Sequence, residues 1–452
     1  MIKWRCKICG YIHEGDSPPD KCPVCGAGPE DFKLLEHTQT PQSKLAIARI
    51  IIIGNGAAGV EAARTIREHN KSVEILIFTE ESYHLYSRIH LSRFIGNQSN
   101  ETDIQIYPTS WYDEQKIKVF LDTPVISISP QDNEIRDSKG STYKYNKLII
   151  ATGASPFIPS IEGSSLKGVF SLRNLTDAIK IREKAKNSHS AVIVGGGILG
   201  IEAASSLKSI GLKVSIIETA HHLMLKQLDQ DASMLLQSIL EDKGINFYLN
   251  HRVVKFLGVD HLESTVLDTG EEIKADLALI STGISSNISL AQDADINVNR
   301  GIIVNEHLQS NFPNIYAAGD VSEFQGTIMG IWPSAVDQGI VAAKNALGIK
   351  TKYTGTVPLH ILKVSGLELT TVGQKYKKNS TDEEIKYTSK QKEQYLKLIY
   401  NRNIILGVIL IGVASIGFGL EKLIKNKTPI TEIIPHLEKG NWDIVKKKMK
   451  QM

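Results

Sequence analysis

Twice along this chain an apolar, strand-like run empties into a Gly-x-Gly-x-x-Gly turn that opens a helix. The first instance reads Arg49-Ile50-Ile51-Ile52-Ile53, Gly54-Asn55-Gly56-Ala57-Ala58-Gly59, then Val60-Glu61-Ala62-Ala63-Arg64. The second, about 140 residues further on, reads Ala191-Val192-Ile193-Val194, Gly195-Gly196-Gly197-Ile198-Leu199-Gly200, then Ile201-Glu202-Ala203-Ala204. In each, the first glycine makes the turn and the second lets the backbone approach a pyrophosphate. The third allows close helix–strand packing, with the phosphate at the positive helix end. One such motif is weak; a strand before it, a helix after it and an acid beyond the next strand give it meaning. The strand Val73–Phe78 leads into Thr79-Glu80-Glu81, either glutamate being able to bind a ribose diol, and Lys213–Ile217 ends in Glu218. Two complete fingerprints imply two dinucleotides and two doubly wound α/β domains.

Glu218 bears on which dinucleotide sits in the second site. A carboxylate accepts two hydroxyl hydrogen bonds but repels a 2′-phosphate, and Thr219-Ala220-His221-His222 brings no arginine. NADH is therefore favoured over NADPH. Two further strand-like runs end in Thr-Gly, at Thr152-Gly153 and Thr282-Gly283, and Ile315-Tyr316-Ala317-Ala318 runs into Gly319-Asp320. In such a site Asp320 would bind the ribityl hydroxyls of a flavin.

The cysteines bound the chemistry from the opposite direction. All four of the 452-residue chain, Cys6, Cys9, Cys22 and Cys25, lie in its first 25 positions, so no catalytic thiol or redox disulfide can reside in the remaining 427. Two Cys-x-x-Cys-Gly knuckles twelve residues apart suit four thiolates around one metal, the glycines permitting the tight turns. A segment this short needs the metal for much of its stability. The spacing itself does not separate iron from zinc. With Trp4, Cys9-Gly10-Tyr11, Gly15-Asp16-Ser17-Pro18-Pro19, Cys22-Pro23-Val24-Cys25-Gly26 and Phe32, the segment resembles the rubredoxin family, in the short form appended to rubrerythrins. That resemblance implies mononuclear iron exchanging one electron; a structural zinc ribbon is the alternative. The polar stretch that follows reads as a tether.

From Arg49 to about Gln374 the chain resembles the flavoprotein reductases that bind two dinucleotides. Within them it is similar to the NADH:rubredoxin reductases, the ferredoxin reductases of oxygenase systems and the flavin portion of assimilatory nitrite reductases. Tyr86-Ser87-Arg88-Ile89-His90-Leu91-Ser92 matches the Tyr-x-Arg-x-x-Leu-Ser signature of that group, which implies that Arg88 contacts FAD. Counting back from Arg88, the resemblance places the ribose-binding glutamate at Glu80. It also implies a charged pair near the nicotinamide, carried here by Arg93, where lysine is common, and Glu202. Trp332-Pro333-Ser334-Ala335 with Gln338-Gly339 matches the segment beside the isoalloxazine, and Leu225-Lys226-Gln227-Leu228-Asp229 is similar to the nitrite-reductase flavin portion. Thiol-using relatives place their cysteine at Ser87 or its neighbours, so the empty 427 positions exclude disulfide reductases, NADH peroxidases and water-forming NADH oxidases of that type.

The expected architecture is α/β: two Rossmann-type domains with the NAD domain (161–284) inserted in the FAD domain (48–160 and 285–350). A rubredoxin-like metal domain (1–37) and a linker (38–47) precede them, and a small α+β domain (351–452) follows. The candidate catalytic pair is Arg93 and Glu202. Cofactor-binding candidates are Gly54, Gly56, Gly59, Glu80, Arg88, Thr152, Gly153, Gly195, Gly197, Gly200, Glu218, Thr282, Gly283, Gly319, Asp320 and Trp332. The metal ligands would be Cys6, Cys9, Cys22 and Cys25. A net charge of +3 from 52 basic and 49 acidic residues, with no long basic stripe, gives no nucleic-acid footprint. The uncharged run 403–420 holds four glycines and many β-branched residues and follows a strand-like Tyr395–Tyr400, so it reads as a hairpin ending in a helix near Ser415 rather than a membrane span. With no apolar leader at the N-terminus, a cytoplasmic location is expected.

The expected function is passage of electrons from NADH to FAD to the fused iron centre and on to an external acceptor, a protein or small oxidant; a homodimer is the expected assembly. Two alternatives stand beside it. One is a reductase of an external rubredoxin carrying a structural zinc ribbon. The other is an NADH-sensing binding module like the relatives of apoptosis-inducing factor. The C-terminal run Ile444-Val445-Lys446-Lys447-Lys448-Met449-Lys450 reads as a basic tail helix.

Overall fold

The computed structural model describes residues 2–6, 10–24, 26–34, 47–364, 366–389, 391–413, 417–439, 441–442 and 444–445. Cys9, Cys25, positions 38–46 of the expected linker, Ser415 and the basic run 446–450 lie outside the described residues. The chain divides into two compact units. Met1–His90, Glu101–Ser155 and Ile284–Thr356 make the first; Leu91–Asn100, Pro156–Gly283 and Val357–Met452 make the second.

The first unit is built on a five-stranded sheet in the order Ile315–Ala317, Lys147–Ile150, Arg49–Ile53, Glu74–Phe78, Ile117–Phe120. Every neighbouring pair is parallel. Ile50, Ile51 and Ile52 are fully buried, the continuous apolar run expected of a parallel strand covered on both faces. The helices Ala57–His69 and Trp332–Ala346 pack closely: a Cβ at Gly339 would lie 2.4 Å from the Ala58 carbonyl oxygen. An antiparallel meander, Val125–Ser129, Glu134–Asp137 and Thr142–Lys144, extends from this unit. The amino-terminal module is a three-stranded sheet with Lys3–Cys6 between Ile12–Glu14 and Phe32–Leu34.

The second unit repeats the plan. Its parallel sheet runs Val169–Ser171, Leu277–Ile280, Ser190–Val194, Lys213–Glu218, Ile245–Leu249. Because Ile315–Ala317 completes the first sheet from beyond this unit, the second nucleotide domain is an insertion in the first. The carboxyl-terminal region forms a five-stranded antiparallel sheet in the order Leu359–Val364, Leu367–Gly373, Ile404–Ile411, Gln394–Asn401, Glu383–Ser389. The apolar run therefore builds the strand Ile404–Ile411 of a hairpin, its turn using positive φ at Arg402 and Asn403. The helix Gly417–Lys425 follows. Among the described residues no helix is long and apolar enough to cross a membrane.

One segment falls outside the expected boundaries. Residues 91–100 belong to the second unit although their neighbours on both sides belong to the first. The helix Leu91–Ile95 packs there: Arg182 lies 3.8 Å over the Phe94 ring, and a Cβ at Gly96 would stand 2.9 Å from Ser206 Cβ. The carboxyl-terminal sheet also clusters with the second unit rather than standing apart.

Candidate functional site

The two fingerprints close with the same backbone geometry. Gly54 N–H donates to Phe78 C=O and Gly195 N–H to Ile217 C=O, each at 2.8 Å. Gly54 and Gly195 sit at φ 112° and 115°, and a Cβ would lie 2.1 Å from the Ala151 oxygen and 2.3 Å from that of Ser281. Only glycine fits both demands. Gly59 and Gly200 are equally restricted, since a Cβ on either would come within 2.0 Å of the first glycine's carbonyl oxygen. Gly56 and Gly197 differ: a Cβ there meets nothing within 4 Å among the described residues. These two are the N-caps of the helices Ala57–His69 and Ile198–Ser209, and neither helix has a side-chain cap. Uncapped first-turn N–H groups beside open space suit an anion.

A narrow cleft in the first unit is lined by Asn55, Gly56, Thr79, Glu81, Tyr86 and Arg88 among others. Asn55 Oδ1 is buried there with no hydrogen-bond partner among the described residues, an acceptor that fits a hydroxyl of a bound nucleotide. Arg88 pairs with Glu81, which also accepts from the Tyr86 hydroxyl. Burial works against the Arg88 charge, but Tyr86, Glu81 and Asp320 hold its pKa above the ordinary guanidinium value. Glu80 is exposed and does not line the cleft, whereas Glu81 does. By the twin backbone bonds, the residue equivalent to Glu218 is Thr79, with Glu80 one step beyond. Gly319 N–H donates to Gln338 Oε1 (2.7 Å), and the Asp320 carbonyl accepts from Ser286 Oγ (2.6 Å). Trp332 begins its helix half-buried against the unit's core.

The Thr-Gly turns are stapled by residues the sequence did not single out. In the first unit Asn287 Nδ2 donates to Thr152 C=O (2.9 Å), Thr152 Oγ1 to Asn287 C=O (3.1 Å), and Asn287 N–H to Gly153 C=O (3.0 Å). In the second, Thr282 Oγ1 donates to Phe157 C=O (2.6 Å) and Phe157 N–H to Gly283 C=O (2.9 Å).

Within the second unit Glu218 Oε2 accepts Gly196 N–H at 2.6 Å and Oε1 accepts Ala220 N–H at 2.9 Å, which holds the carboxylate over the glycine turn. Glu202 accepts from Ser92 Oγ at 3.2 Å, and Arg93 lies close enough to influence it. Desolvation nevertheless prevails and pushes the Glu202 carboxyl up to about 7. The segment Leu225–Asp229 has a structural role here. Asp229 caps the helix Gln230–Asp242 through Ala232 N–H (3.1 Å), and its Oδ2 accepts from Tyr395 (2.7 Å) and Lys397 (2.8 Å) in the carboxyl-terminal sheet. The basic groove of this unit, lined by Arg182, Lys186, His189, Lys213 and Lys274, lies at the amino ends of the strands, opposite the fingerprint turn.

In the amino-terminal module the two knuckles are twins as well. Cys6 N–H donates to Tyr11 C=O (2.7 Å) and Gly10 N–H to Cys6 C=O (3.0 Å). Cys22 N–H donates to Ala27 C=O (2.7 Å) and Gly26 N–H to Cys22 C=O (2.8 Å). Gly10 and Gly26 take φ of 80° and 72°. Cys6 and Cys22 are buried at 1 % exposure, so matched turns bring two protected thiols to the chemistry of a tetrahedral metal. Among the described residues, which leave out Cys9 and Cys25, no group of three or more His, Cys, Asp or Glu could hold a metal ion.

Comparison with known proteins gives three family matches: pyridine nucleotide-disulphide oxidoreductase over residues 48–339, rubrerythrin rubredoxin-like domain over 4–33, and rubredoxin NAD+ reductase C-terminal domain over 358–428. An NADH-rubredoxin oxidoreductase of Clostridium acetobutylicum is 32% identical over 385 residues, 85% of this chain and 96% of its own length. Its crystal structure superimposes with a TM-score of 0.71 at 31% identity, covering 85% of this chain and 97% of that one. A Bacillus subtilis nitrite reductase [NAD(P)H] is 35% identical over 85% of this chain, which spans only 48% of that relative's length.

Proposed function

Since the chain belongs to the pyridine nucleotide-disulphide oxidoreductase family, we propose that it is an NADH-dependent flavoprotein oxidoreductase whose acceptor is iron in its own amino-terminal module, which in turn serves an external redox partner. The observation that carries this reading is the position of Ser87. Its neighbours Tyr86 and Arg88 line the first nucleotide cleft, while its own hydroxyl donates at 2.7 Å to the carbonyl of Val24, between Cys22 and Cys25. The cysteine module and the flavin-side loop thus share one residue's reach.

On this reading Gly54, Gly56 and Gly59 accommodate the FAD pyrophosphate, with Glu81 on the cleft wall rather than the expected Glu80 for the ribose, Arg88 for the flavin, Thr152-Gly153 and Gly319 shaping the cleft, Asp320 for the ribityl chain and Trp332 by the ring. Gly195, Gly197, Gly200 and Thr282-Gly283 do the same for NADH, and Glu218 takes its ribose hydroxyls. Arg93 and Glu202 provide the charged pair for the nicotinamide end. Bound FAD would accept a hydride and release electrons singly, and iron held by Cys6, Cys9, Cys22 and Cys25 would accept one at a time; the protein supplies position and electrostatics. The absence of thiols beyond Cys25 leaves no cysteine outside the amino-terminal module to take the electrons instead.

The test is the visible spectrum of the purified protein with metal analysis. Ferric-thiolate bands beside flavin bands, both bleached by NADH under anaerobic conditions, are expected. Stoichiometric zinc in the cysteine module overturns the fused-acceptor reading.

A further inference from the structure

Three of the residues by which the cysteine module touches the rest of the first unit directly flank its cysteines in sequence. Val24, which directly precedes Cys25, accepts the Ser87 hydroxyl at 2.7 Å. Gly10, which directly follows Cys9, lies against Val336; a Cβ there would be 2.7 Å from Val336 Cγ1. Arg5, which directly precedes Cys6, reaches Asp337 at 3.8 Å. Tyr11 packs on Tyr107 with ring centroids 5.9 Å apart. Contacts to both knuckles turn the metal-bearing edge of the module inward, onto the helix Trp332–Ala346 and the loop that carries Ser87.

Ser87 is held from its other side too. It is fully buried, its N–H donates to Ile104 C=O (2.7 Å), and its carbonyl accepts from His90 N–H (3.1 Å). Its hydroxyl therefore has a fixed direction, and that direction is the knuckle. A buried carbonyl such as that of Val24 is costly to leave unpaired, so this one bond favours the seated position over any in which it is broken.

We propose that this surface is an internal docking seat for the module's metal edge, and that Ser87 is the positioning residue that sets the module's register on it. The role in electron transfer rests on the function proposed above; the seat itself does not. Ser87 touches no reacting atom. It acts through the Val24 carbonyl, one peptide unit from Cys25.

Two readouts on the full-length, metal- and flavin-loaded protein separate these claims. In Ser87→Ala, amide hydrogen exchange in the knuckle segments 10–12 and 22–27 should quicken about tenfold, whatever the metal. In stopped flow, flavin reduction by NADH should keep its rate while the following metal reduction slows about tenfold or more. Val336→Glu, which places a charge under Gly10 without changing the module's own sequence, should give the same pattern, and Ser87→Thr should restore the exchange protection in part. Unchanged knuckle exchange in both Ser87→Ala and Val336→Glu overturns the seat. Loosened knuckles in a protein whose metal takes no electrons from NADH uphold the seat and overturn the fused-acceptor function.

Discussion

Glu202→Gln should stabilise the second unit at alkaline pH and leave it almost unchanged at acid pH. Desolvation raises the Glu202 carboxyl from 4.5 to about 7, against the opposing pulls of the Ser92 hydrogen bond and the Arg93 charge. Unfolding returns it to its ordinary value. Between pH 4.5 and 7 the folded chain therefore holds more protons than the unfolded one, and stability falls as pH rises through that window, with the full cost present above it. At 1.36 kcal/mol per pKa unit the cost is ~3 kcal/mol. Glutamine has the same shape, keeps an oxygen for the Ser92 hydroxyl at 3.2 Å and carries no charge, so the variant lacks this slope. For a unit of 150–250 residues each kcal/mol moves Tm by ~2–4 °C. Thermal unfolding followed by near-ultraviolet circular dichroism should then place the variant ~6–12 °C above the wild type at pH 8.5 and within ~2 °C of it at pH 4.5. An offset that is the same at both pH values, or a variant less stable at pH 8.5, refutes the argument that burial governs this carboxyl.

The glycines of one turn should fail in different ways. Gly56→Val meets open space and should fold but purify without flavin, read by the absence of the 450 nm band, whereas Gly59→Ala, with its Cβ 2.0 Å from the Gly54 oxygen, should cost native expression itself. Glu218→Ala removes the acceptor of Gly196 N–H and should weaken NADH about tenfold, ~1.4 kcal/mol by titration of the nicotinamide absorbance, while narrowing its preference over NADPH. Lys397→Met strands the Asp229 carboxylate, since Lys397 is 3 % exposed and 2.8 Å from it. The loss should be ~3–5 kcal/mol in denaturant unfolding, and Lys397→Met with Asp229→Asn should recover a good part of it.

What could be read from the sequence was what chemistry confines to neighbouring residues. The fingerprint glycines are legible because the backbone closes on itself within six positions, and the close approaches of Gly59 to Gly54 and of Gly200 to Gly195 bear that out. The hairpin of 394–411 was legible for the same reason: two apolar β-branched runs met at Arg402-Asn403. Long-range pairings were not. Nothing near Asn287 or Phe157 announces that each staples a Thr-Gly turn more than 120 positions away. Leu91–Ile95 has too few residues to declare which unit it joins. At the first ribose position two adjacent glutamates look alike, and only the fold separates Glu81 on the cleft wall from Glu80 in solvent.

Ser87 belongs with the long-range pairings. A signature in which tyrosine and arginine are the meaningful positions treats the residue between them as a spacer, and here composition says of it only that it is not cysteine. Ser87 stands between the bridge residue Tyr86 and the 3-10 turn Arg88–His90, and its hydroxyl turns away from the cleft that its two neighbours line. On a chain without an amino-terminal module that direction would be a small buried polar group in need of a partner. In this chain the partner is the carbonyl of Val24, 63 positions earlier. The stretch to which the resemblance to thiol-using flavoenzymes points for a cysteine, Ser87 or its neighbours, is then also the stretch that meets the cysteine module, through Val24 between Cys22 and Cys25.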